Sequence, residues 1–327
     1  MGQDAPTPED RLISRLGIPP DEAKALKVCL TQGQSSRRAL VLTPRAPEGY
    51  IPPGAQTGSG EIPPWIGEGI YPVDETVPCD EDSCGAPGDY AEGYYYPLDL
   101  SSVWETAPLS QLPPPQRCLD MCAAPGGKSI LAQARLRPGL HISNEIHPKR
   151  LGIMRHNLSR CGFFHMFTQR LRPDQWAAQA PECFDLILVD APCSGHSMLA
   201  KGIPNPGCFH TSTISGNAKR QRGILLCALK TLSPGGHLLY TTCTYAPEEN
   251  EKTVAWLLKR NQDMYAVETP ALARFQVPSA PFPCYRLLPT AGLGAGGFTC
   301  LLAKKGSIPS RLPEIPEELL AWPVRER

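Results

Sequence analysis

The chain is expected to fold as an α/β protein with an open, mostly parallel sheet covered by helices on both faces. Three observations predict this. From about Tyr94 onward, short apolar runs that read as buried strands alternate with segments of helical pattern. In RCLDMCAAPGGKS, Arg117 to Ser129, a strand, a Pro-Gly-Gly turn and a helix start follow one another. Two more strand-like runs, DLILVDAPC and HLLYTTC, each end on a thiol, at Cys193 and Cys243. Neighbouring parallel strands end at one rim, where open α/β sheets bind ligands. The two thiols are therefore expected to face a common substrate.

Residues 7–31 read as two short helices. Thr7-Pro8-Glu9-Asp10 opens the first with a capping hydroxyl, a proline in the first turn and acids at the positive end of the helix dipole. Pro19-Pro20 divides it from the second. RRALVLTPR, Arg37 to Arg45, reads as a strand. Residues 46–93 are rich in Pro, Gly and acids, without periodicity, and are expected to be irregular. Strands are then expected at Arg117–Met121, Leu140–Asn144, Phe184–Asp190, Gly236–Thr242 and Phe298–Ala303. Helices are expected at Gly127–Arg135, Pro148–Cys161, Ala218–Leu232 and Glu248–Arg260, with Pro148 and Pro247 at helix starts. Glu248, Glu249 and Glu251 suit the positive end of the last of these. Pro234-Gly235-Gly236 turns helix back to strand. The expected organisation is an N-terminal region of residues 1–93, a catalytic domain of residues 94–305 and a C-terminal tail of residues 306–327.

Composition narrows the function classes. No stretch approaches the roughly 20 apolar residues of a membrane span, and MGQDAPTPEDR lacks a signal-peptide core. A cytoplasmic protein is the expectation. The 13 cysteines are scattered, mostly inside apolar runs, which favours reduced thiols. Cys118, Cys122, Cys227 and Cys300 read as small core residues. Cys79 and Cys84 form a C-x4-C pair in CDEDSC, but no second pair of zinc-type spacing follows. An acidic surface loop is expected there, and no metal. The formal net charge of zero hides an asymmetry. Residues 1–100 hold 7 Lys/Arg against 16 Asp/Glu, and residues 101–327 hold 25 against 16. The motif-bearing part is basic, as a surface for a polyanion would be.

The loop CAAPGGKS is neither a Walker A loop nor G-x-G-x-x-G. Its Gly126 and Gly127 permit close approach of backbone to a ligand at a helix N-terminus; a plain tight turn is the alternative. Glu145 follows the second core strand about 20 residues later, where an acid can accept from both hydroxyls of a ribose; a capping carboxylate is the alternative. Either thiol, Cys193 or Cys243, could be a covalent nucleophile, and each would need a depressed pKa or a neighbouring base.

Five segments in this order, CAAPGGK, NEIHPKR, VDAPCSG, YTTCTYAPEENE and GAGGFTCLLAK, resemble the RNA cytosine 5-methyltransferases of the Sun/NOL/NOP family, the 16S rRNA methyltransferase B/F-like group. The resemblance runs from about Tyr94 to Lys304. It implies a class I, Rossmann-like S-adenosylmethionine-dependent methyltransferase whose last strand is antiparallel. S-adenosyl-L-methionine is then the cofactor, held by Cys122, Ala123, Ala124, Pro125, Gly126, Gly127, Lys128, Glu145, Arg150 and Asp190. It implies Cys243 as the nucleophile toward cytosine carbon 6, Cys193 as the thiol that assists release, and Asp190 and Lys128 as groups at the base. DNA cytosine methyltransferases attack with a Pro-Cys thiol instead; the second thiol favours RNA. Ribosomal RNA is the first substrate expected and transfer RNA the second, and a monomer is the working expectation.

Two departures stand out. Near FTQRLRPDQW, the acid that such enzymes often direct at adenine falls between Leu171 and Asp174, and neither position takes the role clearly. Before DLSS, the family's usual Gln is replaced by Leu98. Phosphate contacts are sought among His147, Lys149, Arg150, Arg155, His156, Arg160, Arg170 and Arg172, and among Lys201, Lys219, Arg220 and Arg222. Gly202–His210 is a candidate wall of the base pocket. Nothing after Lys305 is long enough for a separate RNA-binding module, so recognition is expected from the core, residues 1–100 or a partner. The rival readings are a non-catalytic RNA-binding or ribosome-assembly factor and a DNA cytosine methyltransferase. Intact Cys243, Cys193, Asp190 and Lys128 weigh against the first, and the lack of a target-recognition segment against the second.

Overall fold

The computed structural model describes residues 5–33, 37–56, 63–73 and 87–325. Cys79 and Cys84 lie outside these residues. The strands in chain order are β1 (Arg38–Leu42), β2 (Ile70–Val73), β3 (Tyr95–Asp99), β4 (Arg117–Asp120), β5 (Leu140–Asn144), β6 (Phe167–Gln169), β7 (Phe184–Asp190), β8 (Leu232–Thr242), β9 (Met264–Val267), β10 (Tyr285–Leu287) and β11 (Gly297–Lys304). The helices are α1 (Pro8–Ile13), α2 (Pro20–Gln32), α3 (Pro87–Ala91), α4 (Leu100–Glu105), α5 (Gly127–Leu136), α6 (Pro148–Arg160), α7 (Pro173–Gln179), α8 (Ser197–Ala200), α9 (Thr211–Thr231) and α10 (Glu251–Arg260).

The expected sheet is present, with eight strands in the order β10-β11-β8-β7-β4-β5-β6 and β9 paired to β11. β4, β5, β6, β7 and β8 run parallel. β11 is antiparallel to β8, as the resemblance implied. The chain leaves β4 in one direction toward β5 and β6, then returns to β7 on the other side. The switch point therefore falls between β4 and β7, and ligands of such sheets bind beyond the strand ends there. β7 is buried along FDLILV, which explains why it reads as a continuous apolar run rather than an alternating one.

Four expectations need correction. β8 begins at Leu232 rather than Gly236, so Pro234-Gly235-Gly236 lies within the strand and is not the turn into it. Residues 46–93 are not wholly irregular: β2 pairs with β1, and α3 precedes β3. β3 completes a three-stranded sheet, β2-β1-β3, on the other edge of β1. Leu40 and Tyr95 are fully buried within it, so tertiary packing supplies the order that local periodicity lacked. The helix expected at Ala218–Leu232 begins earlier, at Thr211. The helix expected from Glu248 begins at Glu251, and Pro247 is not at its start. Asn250, at φ −103° and ψ −112°, is outside the helical region. The Tyr240 hydroxyl donates to Glu249 O at 2.6 Å and Asn250 Nδ2 donates to Thr244 O at 2.9 Å, which holds this segment as a separate turn.

After Lys304 the chain lies along the β6 edge. The Thr168 N–H donates to Trp322 O and the Val324 N–H to Met166 O, each at 2.8 Å. Cys118 and Cys300 are buried as expected, whereas Cys122 and Cys227 are half-buried. Cys118, Cys122, Cys193, Cys227, Cys243 and Cys300 are free thiols, and among the described residues no group of three or more His, Cys, Asp and Glu could hold a metal. No described helix is long and apolar enough to cross a membrane.

Candidate active site

The rim beyond β4, β7 and β8 gathers the chemistry-bearing residues. Asp190 of β7 pairs in register with Thr241 of β8. Asp190 Oδ1 accepts from the Thr241 hydroxyl at 3.0 Å. Cys193 and Cys243 follow these two strand ends after short turns, and their Sγ atoms come within 3.2 Å. A hydrogen bond across that distance favours a thiolate on one of the two sulfurs. The surroundings choose Cys243. The Cys193 S–H donating to it, the Lys128 charge and the Ser197 hydroxyl together hold its pKa below the usual thiol value against burial and Asp190. Its donation to Cys243 and burial, with the charges of Glu249 and Asp190, push Cys193 up.

Beneath the thiols, Lys128 Nζ lies 2.8 Å from Asp190 Oδ2 and 2.7 Å from Glu105 Oε2. Burial works against the ammonium, but these two carboxylates hold it protonated. Glu105 was not found from the sequence. It stands as a single acid at the end of the short α4, and only the fold brings it to the site. Burial pushes its carboxyl up to about 8 even with Lys128 alongside.

A layer of buried polar groups fixes the thiol-bearing turns. Glu249 Oε2 accepts from the Ser194 N–H at 2.9 Å and from Gln221 Nε2 at 2.8 Å, and Gln221 also donates to Pro192 O at 3.0 Å. Glu249 therefore braces the Cys193 turn, a role its reading as a helix-dipole acid had missed. His196, fully buried, accepts at Nδ1 from the Thr244 hydroxyl at 2.6 Å and donates from Nε2 to Cys208 O at 3.1 Å. Burial lowers its pKa to about 4, so it is a neutral strut between the turns after β7 and β8 rather than an acid–base group. Asn205 Nδ2 donates to Ser194 O at 2.8 Å and Gly195 O at 2.9 Å. Gly202–His210 thus reaches the Cys193 turn.

The β4–α5 loop holds the residues expected at a cofactor. Gly126 has φ +113°, a conformation that L side chains avoid, and it caps α5 without a side-chain bond. Gly127 has another reason to lack a side chain: a Cβ there would overlap Leu98. Asn144 ties three loops together, donating to Met121 O and Leu171 O at 3.0 Å each and accepting from the Leu171 N–H at 2.8 Å. Cys122 and Ala124 sit in this loop. Ala123 N–H donates to Asn144 O at 2.8 Å, and the Ala124–Pro125 peptide is cis. Glu145, almost fully buried at the end of β5, accepts from the His147 N–H at 2.8 Å and pairs with Arg150 at 3.2 Å. Arg150 also donates to Ala124 O at 2.6 Å. Asp120 at the end of β4 is fully buried, and burial pushes its carboxyl up to about 7. Asp174 pairs with Arg172 at 3.0 Å in solvent, and Leu171 offers backbone to Asn144.

This donor set fits S-adenosylmethionine. Carboxylates at Asp120, Glu145 and Asp190 line three strand ends, suited to ribose hydroxyls and to a sulfonium and an ammonium.

Several expected phosphate contacts have local partners. Arg155 covers the Trp322 ring, with its guanidinium carbon 5.2 Å from the centroid, and Arg160 covers Tyr90 at 4.0 Å. Arg222 lies 5.2 Å over Trp256, and Lys201 pairs with Asp99 at 3.1 Å. Lys149, His156, Arg170, Lys219 and Arg220 are exposed.

Comparison with known proteins sets this site in context. Residues 109–302 match the family model described as 16S rRNA methyltransferase RsmB/F. Ribosomal RNA small subunit methyltransferase F of Klebsiella pneumoniae (strain 342) is 34% identical over 202 residues, covering 60% of this chain and 41% of that protein. The same-named protein of Escherichia coli (strain SMS-3-5 / SECEC) is 34% identical over 207 residues, covering 61% and 42%. The match thus spans about two fifths of the length of these curated relatives. The crystal structure of NSun6 from Pyrococcus horikoshii with SFG aligns at TM-score 0.60 and 27% identity, over 70% of this chain and 57% of that one. A methyltransferase homolog protein from Pyrococcus horikoshii aligns at TM-score 0.64 and 22% identity, over 92% and 99%, which shows the shared fold.

Proposed function

The chain belongs to the 16S rRNA methyltransferase RsmB/F family, and from that membership we propose that it methylates carbon 5 of a cytosine in RNA through a covalent adduct of Cys243. Ribosomal RNA is the substrate favoured, since the curated relatives are named for the small-subunit RNA; transfer RNA ranks second. The observation that carries the reading is the pair of thiols 3.2 Å apart over an ammonium shared by two carboxylates. A Pro-Cys thiol alone would suit a DNA enzyme equally well.

Bound S-adenosylmethionine would supply the activated methyl group, with residues 122–127, Lys128, Glu145, Arg150, Asp120 and Asp190 as its contacts. The target cytosine must be unstacked before its ring reaches the thiols. Carbon 5 is a weak nucleophile. When Cys243 Sγ adds to carbon 6, a C–S bond forms and the ring's π pair becomes available at carbon 5. Lys128 and Asp190 meet the charge that develops on the base and exchange protons with its polar edge. After methylation the carbon 5 proton passes to water acting as base, and the pair of that C–H bond restores the double bond between carbons 5 and 6. The C–S bond breaks, with its electron pair returning to Cys243. The Cys193 S–H, 3.2 Å from that sulfur, is suited to stabilise the departing thiolate by donating to it.

The test is methyl transfer from labelled S-adenosylmethionine to unmethylated total RNA, fractionated by size and digested to nucleosides. Label in 5-methylcytosine from small-subunit RNA is the expected result. Label in another nucleoside, or none from protein that binds the cofactor, overturns the proposal.

A further inference from the structure

We propose that Glu105 is a positioning residue, which holds the Lys128 ammonium jointly with Asp190 and so sets the charge field under Cys243. The proposal rests on the reading of Cys243 as nucleophile and extends it to a residue outside the motifs.

The geometry carries the argument. Lys128 is the second residue of α5, at the positive end of the helix dipole, and its side chain is 11% exposed. A cation is doubly disfavoured there, by the dipole and by burial. Asp190 alone would neutralise it. Glu105 adds a second carboxyl at 2.7 Å, with its own side chain 3% exposed. The fold makes room for that carboxyl at a specific cost. Gly297, the first residue of β11, faces it so closely that a Cβ would overlap Glu105 Oε1. The backbone of Glu105 is anchored too, because the Thr299 hydroxyl donates to Glu105 O at 2.7 Å. Two strand residues of β11 are thus committed to the placement of one buried acid. A group this buried and this close to Lys128 controls where the ammonium sits and how much of its charge reaches the thiols.

The charged and titratable groups acting on Glu105 are Lys128 on α5, Asp190 on β7, and Cys243 and Tyr245 beyond β8. Its carboxyl is pushed up to about 8 by burial. While it holds its proton, Lys128 with Asp190 makes a neutral pair; once ionised, Glu105 competes with Asp190 for Lys128 and adds a negative charge that acts on Cys243. The ionisations of Glu105 and Cys243 are then coupled, and the thiol titration is broadened toward high pH.

The test uses the full chain without RNA. Alkylation of Cys243 by iodoacetamide is followed by peptide mass against pH, for the native protein, Glu105→Gln and Glu105→Ala, with thermal melts to check folding. Glu105→Gln keeps an acceptor for Lys128 but cannot ionise. Its Cys243 titration is expected to narrow to a single-proton transition with a midpoint at lower pH. Glu105→Ala, which frees Lys128 from one of its two anchors, is expected to shift the midpoint as well. In methyl-transfer assays, Glu105→Ala should lower kcat more than it raises KM for RNA, and Glu105→Gln should restore kcat at neutral pH. Alkylation profiles of both folded variants that superimpose on the native one overturn the proposal. A shifted profile in a protein that transfers no methyl group to RNA would sink the proposed function and leave Glu105's role standing.

Discussion

Replacing Glu249 by Ala should loosen the turn that carries Cys193. Glu249 is fully buried, and its Oε2 accepts from the Ser194 N–H at 2.9 Å and from Gln221 Nε2 at 2.8 Å. Its Oε1 has no partner among the described residues. Truncation to Ala strands two donors, and a buried donor left unsatisfied costs about 1–3 kcal/mol. The expected loss is therefore roughly 2–6 kcal/mol, large beside a typical stability of about 5–15 kcal/mol. Glu249→Gln should behave differently. Its amide carbonyl can take the place of Oε2 and accept both bonds, with the NH2 group where Oε1 already lacks a partner. Burial raises the Glu249 pKa, so the native fold already disfavours its charge. The Gln variant should lose clearly less than the Ala variant, about 1–3 kcal/mol, because it keeps both accepted bonds and leaves only its own NH2 group without a partner. Urea unfolding at constant m-value measures both, and kcat reports whether the Cys193 turn has shifted. An Ala variant as stable as the native protein would refute the bracing role, and so would a Gln variant as damaged as the Ala one.

Cys243→Ala is expected to abolish methyl transfer while leaving cofactor binding by calorimetry within about threefold, which is under 1 kcal/mol; normal turnover would remove Cys243 as nucleophile. Cys193→Ala should accumulate a covalent protein–RNA species, seen as a retarded band on a denaturing gel, and preserved turnover without that band would count against a release role. The contribution of Glu105 and Asp120 to stability should fall as pH rises from about 4 to 8, because burial raises their folded pKa values to about 8 and about 7 and these two carboxyls bind more protons folded than unfolded. Below about 6.5 it is opposed by His141 and His196, whose folded pKa values burial lowers to about 3 and about 4. The contribution of the two carboxyls is complete below the unfolded values and is lost through the folded ones, on the order of a few kcal/mol. Glu105→Gln should flatten that decline in urea titrations at pH 5 and pH 8; an equally steep decline would place the effect on other groups.

Where the sequence was legible, the reason is local. DLILVD reads as a strand because both faces of β7 are covered, so every position is apolar until Asp190 reaches the rim. Gly126 is legible because its φ of +113° is closed to other residues. The two thiols were legible as a pair because β7 and β8 are parallel neighbours whose ends coincide. β2 and β3 were not, since their order comes from pairing with β1 across long stretches of chain. The start of α10 was misplaced because the Tyr240 hydroxyl holds the Glu249 carbonyl in a separate turn, and no local pattern signals that contact.

The α/β class, the core strands β4, β5, β7, β8 and β11, the glycine-bearing loop after β4, and Cys193, Cys243, Asp190 and Lys128 as candidate site residues were legible in the sequence, the last four through its resemblance to a known family. Periodicity, special backbone conformations and motif spacing are properties of neighbours along the chain. Tertiary structure decided which acids share Lys128, which thiol bears the lower pKa, and that Glu249 and His196 serve as braces. Those outcomes depend on burial and on distances of about 3 Å between segments far apart in sequence. Glu105 meets Lys128 at 2.7 Å from 23 residues away, and Glu249 meets Ser194 at 2.9 Å from 55 residues away. Electrostatic free energy follows separation in space and exclusion of water, and sequence separation sets neither.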